Sequence, residues 1–366
     1  MDFFRRSNYH FDLPDNLIAA YPLAHREDAR LMVIHKASER IEHRTFRELP
    51  EILPANAMLV ANNTKVFRAR LQGQRAWSKG KIELFLLKKL GPTLWQGLIR
   101  SSARVAPGFI FSLGSEANPI QAEVIAREDT NSGTLFTVNL SADPVLAGIG
   151  EVPLPPYITA KRADITSGTT EKLPDELEIY NTVFAKNEGS VASPTAGRHF
   201  SVELIENLKK LGFGWEELTL HVGLGTFKPV MVDDIREHKM HPEVSFIAEE
   251  VAKRILLAKQ QKRKIIAVGT TSTRTLEGRA SRNEAGDIEL ASGDQDVNLF
   301  IYPRSEHDWK LVDGILTNFH LPESTLLMMI TAFIDDIEWM REIYQIAVKE
   351  QYRFYSYGDA MLILPE

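Results

Sequence analysis

IELFLL (82–87) opens a series of short apolar or alternating runs that continues with LWQGLI (94–99), FIFSL (109–113), IQAEVIA (120–126) and TLFTVNL (134–140). Gly, Pro, Asn and Ser separate the runs. Several short strands divided by turn residues predict a small closed, Greek-key-like all-β barrel over residues 66–150. VPLPPY (152–157) then interrupts regular structure, because successive prolines remove N–H donors and restrict the residues before them.

On either side the texture is mixed α/β. Before the barrel, residues 30–35 and 57–61 read as apolar strands around a short helical segment at 46–53. After it, Ser201 caps a helix whose Leu204, Ile205, Leu208 and Leu211 share a face and which Gly212 ends. A strand at 217–222, a helix at 245–259 and strands at 264–268, 298–302 and 310–316 follow. Pro322 marks the expected start of one helix, and Asp335 with Glu338 a capping box for the last. The expected fold is therefore a layered α/β domain, residues 1–65 plus 151–366, interrupted by the barrel.

The chain has 366 residues, 44% hydrophobic and 25% charged, a composition that suits two globular domains. Cysteine is absent, which excludes disulfides, thiolate zinc sites and thiol nucleophiles. No run approaches the ~18 apolar residues of a membrane span, so a cytoplasmic protein without membrane contact is expected. Net charge is −6, yet Arg68, Arg70, Arg75, Lys79, Lys81, Lys88, Lys89, Arg100 and Arg104 face only Glu83 within residues 66–110, nine positive against one negative. Such a stretch suits either a phosphate backbone or a solvated barrel exterior.

Four segments hold more polar and glycine residues than packing requires: PTAGRHF (194–200), HVGLGTF (221–227), GTTSTRTLE (269–277) and TNFHLPEST (317–325). Three of them follow predicted strands, and layered α/β folds bind ligands at the carboxyl edges of strands, so one shared cleft is expected. In GTTSTR, hydroxyls, N–H groups and Arg274 suit an anion, although Ser272 also suits a plain helix cap. Gly223 and Gly225 fail the dinucleotide pattern, since Lys228 stands where the third glycine belongs. His238, His241 and Glu243 have a spacing compatible with zinc, but Pro242 breaks the turn, and no metal site is expected. Proton transfer by histidine remains.

Together these segments, with NNTKV (62–66), ARL (69–71), LPPYI (154–158), HKMHPE (238–243) and YRFYSYGDAM (352–361), resemble the S-adenosylmethionine:tRNA ribosyltransferase-isomerase family over nearly the whole chain. The sequence departs from the family pattern at Arg68, Arg198, Pro242 and Thr273. The resemblance implies transfer and isomerisation of the ribosyl group of S-adenosylmethionine onto the 7-aminomethyl-7-deazaguanine wobble base of tRNA, giving epoxyqueuosine, adenine and methionine. It implies S-adenosylmethionine as a substrate, no prosthetic group, tRNA as partner and, as a working expectation, a monomer. Expected catalytic residues are His221, His320 and His199, with His221 or His320 as base and the other assisting adenine. Expected substrate contacts are Thr195, Arg198, Gly223, Gly225, Thr226, Thr270, Thr271, Arg274, Asn318 and Phe319, with Glu323 and Asp359 reading the acceptor base. Phe227, Phe319 or Tyr355 would stack on it. Arg75, Lys79, Lys81, Lys88 and Lys89 are expected on the tRNA backbone. A methyltransferase and a non-catalytic RNA-binding protein are the alternatives, and release of free adenine separates both from this reading.

Overall fold

The computed structural model describes residues 2–130, 133–165, 175–223 and 230–365. The chain first forms β1 (Arg30–His35), β2 (Arg40–Thr45), the single-turn α1 (Leu49–Ile52), β3 (Met58–Asn62) and β4 (Thr64–Val66). Next come β5 (Arg70–Arg75), β6 (Lys81–Lys89), β7 (Leu94–Ser101), β8 (Ile110–Leu113), β9 (Ile120–Thr130) and β10 (Gly133–Leu140). Helices α2 (Pro156–Ile165) and α3 (Glu176–Tyr180) lead to β11 (Asn187–Ser190), α4 (Val202–Lys210), β12 (Gly214–Leu220), β13 (Glu243–Ile247) and α5 (Glu249–Gln260). Then follow β14 (Ile265–Val268), α6 (Thr270–Arg279), β15 (Ala280–Arg282), β16 (Ile288–Leu290), β17 (Gly293–Val297) and β18 (Gly314–Asn318). Helices α7 (Thr325–Ile334) and α8 (Ile337–Lys349) precede β19 (Ala360–Leu364).

β5 to β10 close into a barrel in the order β10-β7-β6-β5-β8-β9. The neighbours β8-β5-β6-β7 are a Greek key, three hairpin-linked strands with the fourth returning beside the first. Alternation drives the closure: on β9, Ile120, Ala122 and Val124 point inward while Gln121, Glu123 and Ile125 face solvent.

Strands from both sides of the barrel segment join one nine-stranded sheet, in the order β17-β13-β12-β3-β14-β18-β19-β1-β2. The central β12, β3, β14 and β18 run parallel and separate two cores, and β3 and β14 bury apolar residues on both faces. Leu59, Val268 and Leu316 face α4, whereas Val60, Ala267 and Ile315 face α5, α7 and α8.

Several expected elements shift, each for a local reason. Residues 243–247 pair with β12 and β17 as a strand, so α5 starts only after Ala248. Residues 298–302 form no strand; the Phe300 and Tyr302 rings instead pack against each other at 5.0 Å, tilted by 45°. At 310–312 the N–H groups of Lys310, Leu311 and Val312 donate to the Glu277 carboxylate at 2.8–2.9 Å, which delays β18 to Gly314. Pro322 does not begin a helix, because Ser324 caps α7 through Leu327 N–H. Asp336, not Asp335, caps α8, and Asp335 closes α7 in the left-handed region with φ 64°.

Candidate active site

Four adjacent parallel strands deliver the polar segments to one edge of the sheet. His221 follows β12, Asn62 ends β3 with Asn63 and Thr64 after it, Gly269 to Thr271 follow β14, and Asn318 ends β18 with Phe319 and His320 after it. Asn62 ties three of these ends together. Its Nδ2 donates to Leu220 O (3.0 Å) and Thr271 Oγ1 (3.2 Å), and its Oδ1 accepts from Leu220 N (3.0 Å) and Thr64 N (3.1 Å). Thr64 Oγ1 then lies 2.8 Å from His221 Nδ1. Beneath the imidazole, Gly189 has φ +148°, and a Cβ there would stand 2.8–2.9 Å from three ring atoms. Burial holds the His221 pKa below the usual histidine range, so the ring is neutral at neutral pH. Among the described residues, its Nε2 carries no hydrogen bond.

The PTAGRH segment forms a 3-10 turn, Thr195–His199, against the same edge. Ala196 Cβ lies 3.6 Å from where a Cβ of Gly269 would stand, so this turn touches the start of α6. Asn318 Nδ2 donates to His199 Nε2 (3.1 Å), and Phe46 covers the ring at 5.0 Å. Burial, reinforced by Arg198 and Arg353, pulls the His199 pKa down to about 3.

His320 sits differently. Its Nε2 pairs with Thr317 Oγ1 (2.9 Å), its N–H reaches Tyr344 Oη (3.2 Å), and burial takes its pKa to about 3. Alternate residues of a strand face opposite sides, so Thr317 lies on the face of Ile315 and Asn318 on that of Leu316. His199 and His320 therefore bond to residues on opposite faces of the sheet.

Other expected contacts have partners within the fold. Arg274 is buried and donates to Glu243 Oε2 (2.5 Å), whose other oxygen accepts Gly223 N–H (3.0 Å). Both oxygens of Asp359 take backbone N–H groups, from Arg30 (3.1 Å) and Arg353 (2.8 Å), leaving it engaged as a clamp between β1 and β19. Phe319 is fully buried against Tyr344, Tyr352 and Phe354, so it cannot stack on a base. Tyr355 is already stacked on Tyr157 at 4.5 Å. Glu323 stands at the surface beside Arg6 (3.4 Å) and His10 (3.5 Å). Arg198, its pKa lowered to about 10 by burial, donates to Ser356 O and Ile179 O and lies over the Tyr357 ring. Thr195 is half-buried at the start of its turn, and Thr270 is buried in the first turn of α6. Gly225, Thr226 and Phe227 lie outside the described residues. His238 packs on Phe300, and among the described residues no group of three or more His, Asp or Glu is arranged to hold a metal ion.

Asn62, Thr64, Gly189 and Glu243 were not assigned from sequence, although NNT after an apolar strand is a polar cluster that packing does not demand. Thr182 Oγ1, Ser193 Oγ and Asn318 Oδ1 are also buried without a hydrogen-bond partner among the described residues. Buried polar atoms are rarely left so. Thr182 packs under the PTAGRH turn, where a Cβ on Gly197 would meet its Cγ2 at 3.0 Å.

The barrel cations do not form one patch. Arg68 pairs with Asp175, Arg70 with Glu83 and Lys89 with Asp143. Lys81 and Lys89 stand at opposite ends of the nine-residue β6, roughly 27 Å apart at the usual strand rise. Arg75, Lys79 and Lys81 thus belong to one end, Lys88 and Lys89 to the other.

Residues 6–363 match the family model described as queuosine biosynthesis protein. The chain is 43% identical to an S-adenosylmethionine:tRNA ribosyltransferase-isomerase of Desulfitobacterium hafniense, over 98% of this chain and 99% of that one. It is 42% identical to the protein of that name from Clostridioides difficile, over 97% and 98%. The crystal structure of S-adenosylmethionine tRNA ribosyltransferase from Thermotoga maritima matches with a TM-score of 0.51 at 33% identity, covering 98% of this chain and 100% of that one. A polar sheet edge and a closed Greek-key barrel thus occur in a chain that belongs to the queuosine biosynthesis protein family of S-adenosylmethionine:tRNA ribosyltransferase-isomerases, and is an enzyme.

Proposed function

We propose that the enzyme moves and isomerises the ribosyl group of S-adenosylmethionine onto the aminomethyl nitrogen of 7-aminomethyl-7-deazaguanine at the tRNA wobble position. The bonds change in sequence. A base takes a proton from the ribose C5′, made acidic by the sulfonium, and the ring oxygen leaves C4′ with its electron pair. That oxygen becomes the C1′ carbonyl as adenine leaves with the glycosidic pair and takes up a proton. The aminomethyl nitrogen adds to C4′ and gives up a proton, and C5′ closes on C1′. The C1′ oxygen then displaces methionine, which leaves with the electron pair of the C5′–S bond, so the products are epoxyqueuosine, adenine and methionine.

The observation that carries this reading is the hydrogen-bonded line from Thr271 through Asn62 and Thr64 to His221 at the strand edge. His221 is our choice of base. It is neutral, half-buried and oriented by Thr64, whereas His199 and His320 are enclosed. Thr271 and the unpaired polar atoms of Thr182, Ser193 and Asn318 offer hydrogen bonds to the hydroxyl-rich substrate. In the same reading, residues 1–65 with 151–366 are the catalytic unit, 66–150 an inserted RNA-binding unit, and the compartment is the cytoplasm of the tRNA pool. Among the described residues no helix is long and apolar enough to cross a membrane.

One assay tests it. Enzyme, S-adenosylmethionine and tRNA bearing the aminomethyl base should yield adenine in step with base conversion. S-adenosylhomocysteine in its place would make this a methyltransferase, and no product at all would leave only an RNA-binding role.

A further inference from the structure

Trp77 is 63% exposed at the tip of the β5–β6 hairpin, an unusual position for the largest apolar side chain. It is nevertheless held in place. The hairpin is closed by Arg75 N–H to Gly80 O (2.9 Å) and Lys79 N–H to Arg75 O (3.1 Å), and Trp77 rests edgewise on Phe109 with ring centroids 4.7 Å apart and planes at 70°. Phe109 itself is buried in the barrel core, so the indole is braced by a fixed neighbour. Ile110, 45% exposed, adjoins the tip through Ala76 N–H to Ile110 O.

The charge around this ring has one sign. No acidic residue occurs between Glu51 and Glu83, and among the described residues Arg75, Lys79 and Lys81 have no carboxylate within ion-pair distance, unlike Arg68, Arg70 and Lys89. The Arg75 guanidinium lies across Gly80, where a Cβ would come 1.7 Å from its Nη2, so that glycine lets the cation fold beside the tip. A rigid aromatic face among unpaired cations fits a polyanion that also offers flat bases. A single-stranded or looped nucleic acid has both, phosphates for the cations and a base to stack.

We propose that Trp77 is a stacking platform for an unpaired base of the tRNA, with Arg75, Lys79 and Lys81 holding the adjoining phosphates. This rests on tRNA being the substrate. Stacking and charge separate experimentally, because only the phosphate contacts release counterions.

The test is equilibrium binding of fluorescently labelled tRNA to the full-length wild type, Trp77→Ala, Trp77→Phe and Lys79→Ala/Lys81→Ala at several salt concentrations, with circular dichroism to verify folding. Trp77→Ala should weaken binding on the order of tenfold with an unchanged salt slope, and Trp77→Phe should recover much of that loss. Lys79→Ala/Lys81→Ala should flatten the slope. Affinity of Trp77→Ala within about threefold of wild type overturns the proposal and leaves the tip to a protein partner; a loss that Trp77→Phe does not reduce overturns stacking as the cause. Adenine release by the wild type, measured in parallel, keeps the two readings apart: its absence sinks the proposed function, and its presence with an indifferent Trp77 sinks only the platform.

Discussion

His221 Nδ1 and Thr64 Oγ1 lie 2.8 Å apart, joining the end of β12 to the start of β4 at one edge of the sheet. The hydroxyl fixes the ring plane, and Nε2, the atom the proposed base would use, is left without a hydrogen bond among the described residues. General-base catalysis contributes typically 10²–10⁴-fold, so His221→Ala should lower adenine-forming turnover by about 100-fold or more at saturating substrates. Burial lowers the imidazole pKa, so the unprotonated base persists below pH 6.5 and the acid limb of kcat lies under that value. Most of the turnover surviving in His221→Ala would remove this histidine from the proton transfer.

Gly189→Ala examines the same ring from below. The positive φ of +148° is one that L side chains rarely adopt, and the added carbon would stand 2.8–2.9 Å from the imidazole. The ring must move and its bond to Thr64 must lengthen. Turnover should fall at least tenfold, roughly the effect of misplacing a catalytic group by a fraction of an ångström. Wild-type kinetics in Gly189→Ala would mean that the ring position does not matter.

Much of this arrangement was legible in the residues. Alternating runs in 82–140 announced the barrel, and glycine- and hydroxyl-rich segments after apolar strands announced the edge where His221, Thr271 and Asn318 gather. What stayed hidden depended on partners distant in sequence. Arg274 looks like an anion ligand until Glu243, 31 residues away, occupies it. Asp359 looks like a base-reading carboxylate until Arg30 N–H, 329 residues away, takes one oxygen. The sidedness of His320 required the register of β18, and β18 itself starts late because Glu277 captures three backbone donors that a hydropathy pattern assigns to a ladder.

Stability should depend on pH through the enclosed histidines. His199 and His320 titrate near 3 in the folded protein and near 6.5 once unfolded, so between those values the unfolded chain binds more protons and stability falls as pH falls. The stabilisation is complete above pH 6.5. At pH 5 the loss is about 2 kcal/mol per histidine. Thermal unfolding of the wild type at pH 7.5, 6 and 5 should show a declining Tm, and His199→Gln or His320→Gln should flatten the decline. A Tm independent of pH over this range would contradict the burial of both rings.

Arg274 and Glu243 form the most enclosed ion pair described, with side chains 1% and 4% exposed. Removing one partner strands the other charge in a low-dielectric interior, which costs about 3–5 kcal/mol. Arg274→Ala should therefore shift the urea midpoint strongly downward. Glu243 also accepts Gly223 N–H, so its loss additionally frees the start of the segment after β12. Glu243→Gln keeps an oxygen for that N–H and should be milder at Gly223 than Glu243→Ala, seen as slower amide exchange there. Because Arg274 stays charged in both Glu243 variants, pairing Arg274→Met with Glu243→Leu should recover much of the stability lost by either single change. If the double variant is no more stable than Arg274→Ala, the pair contributes through more than its mutual charge.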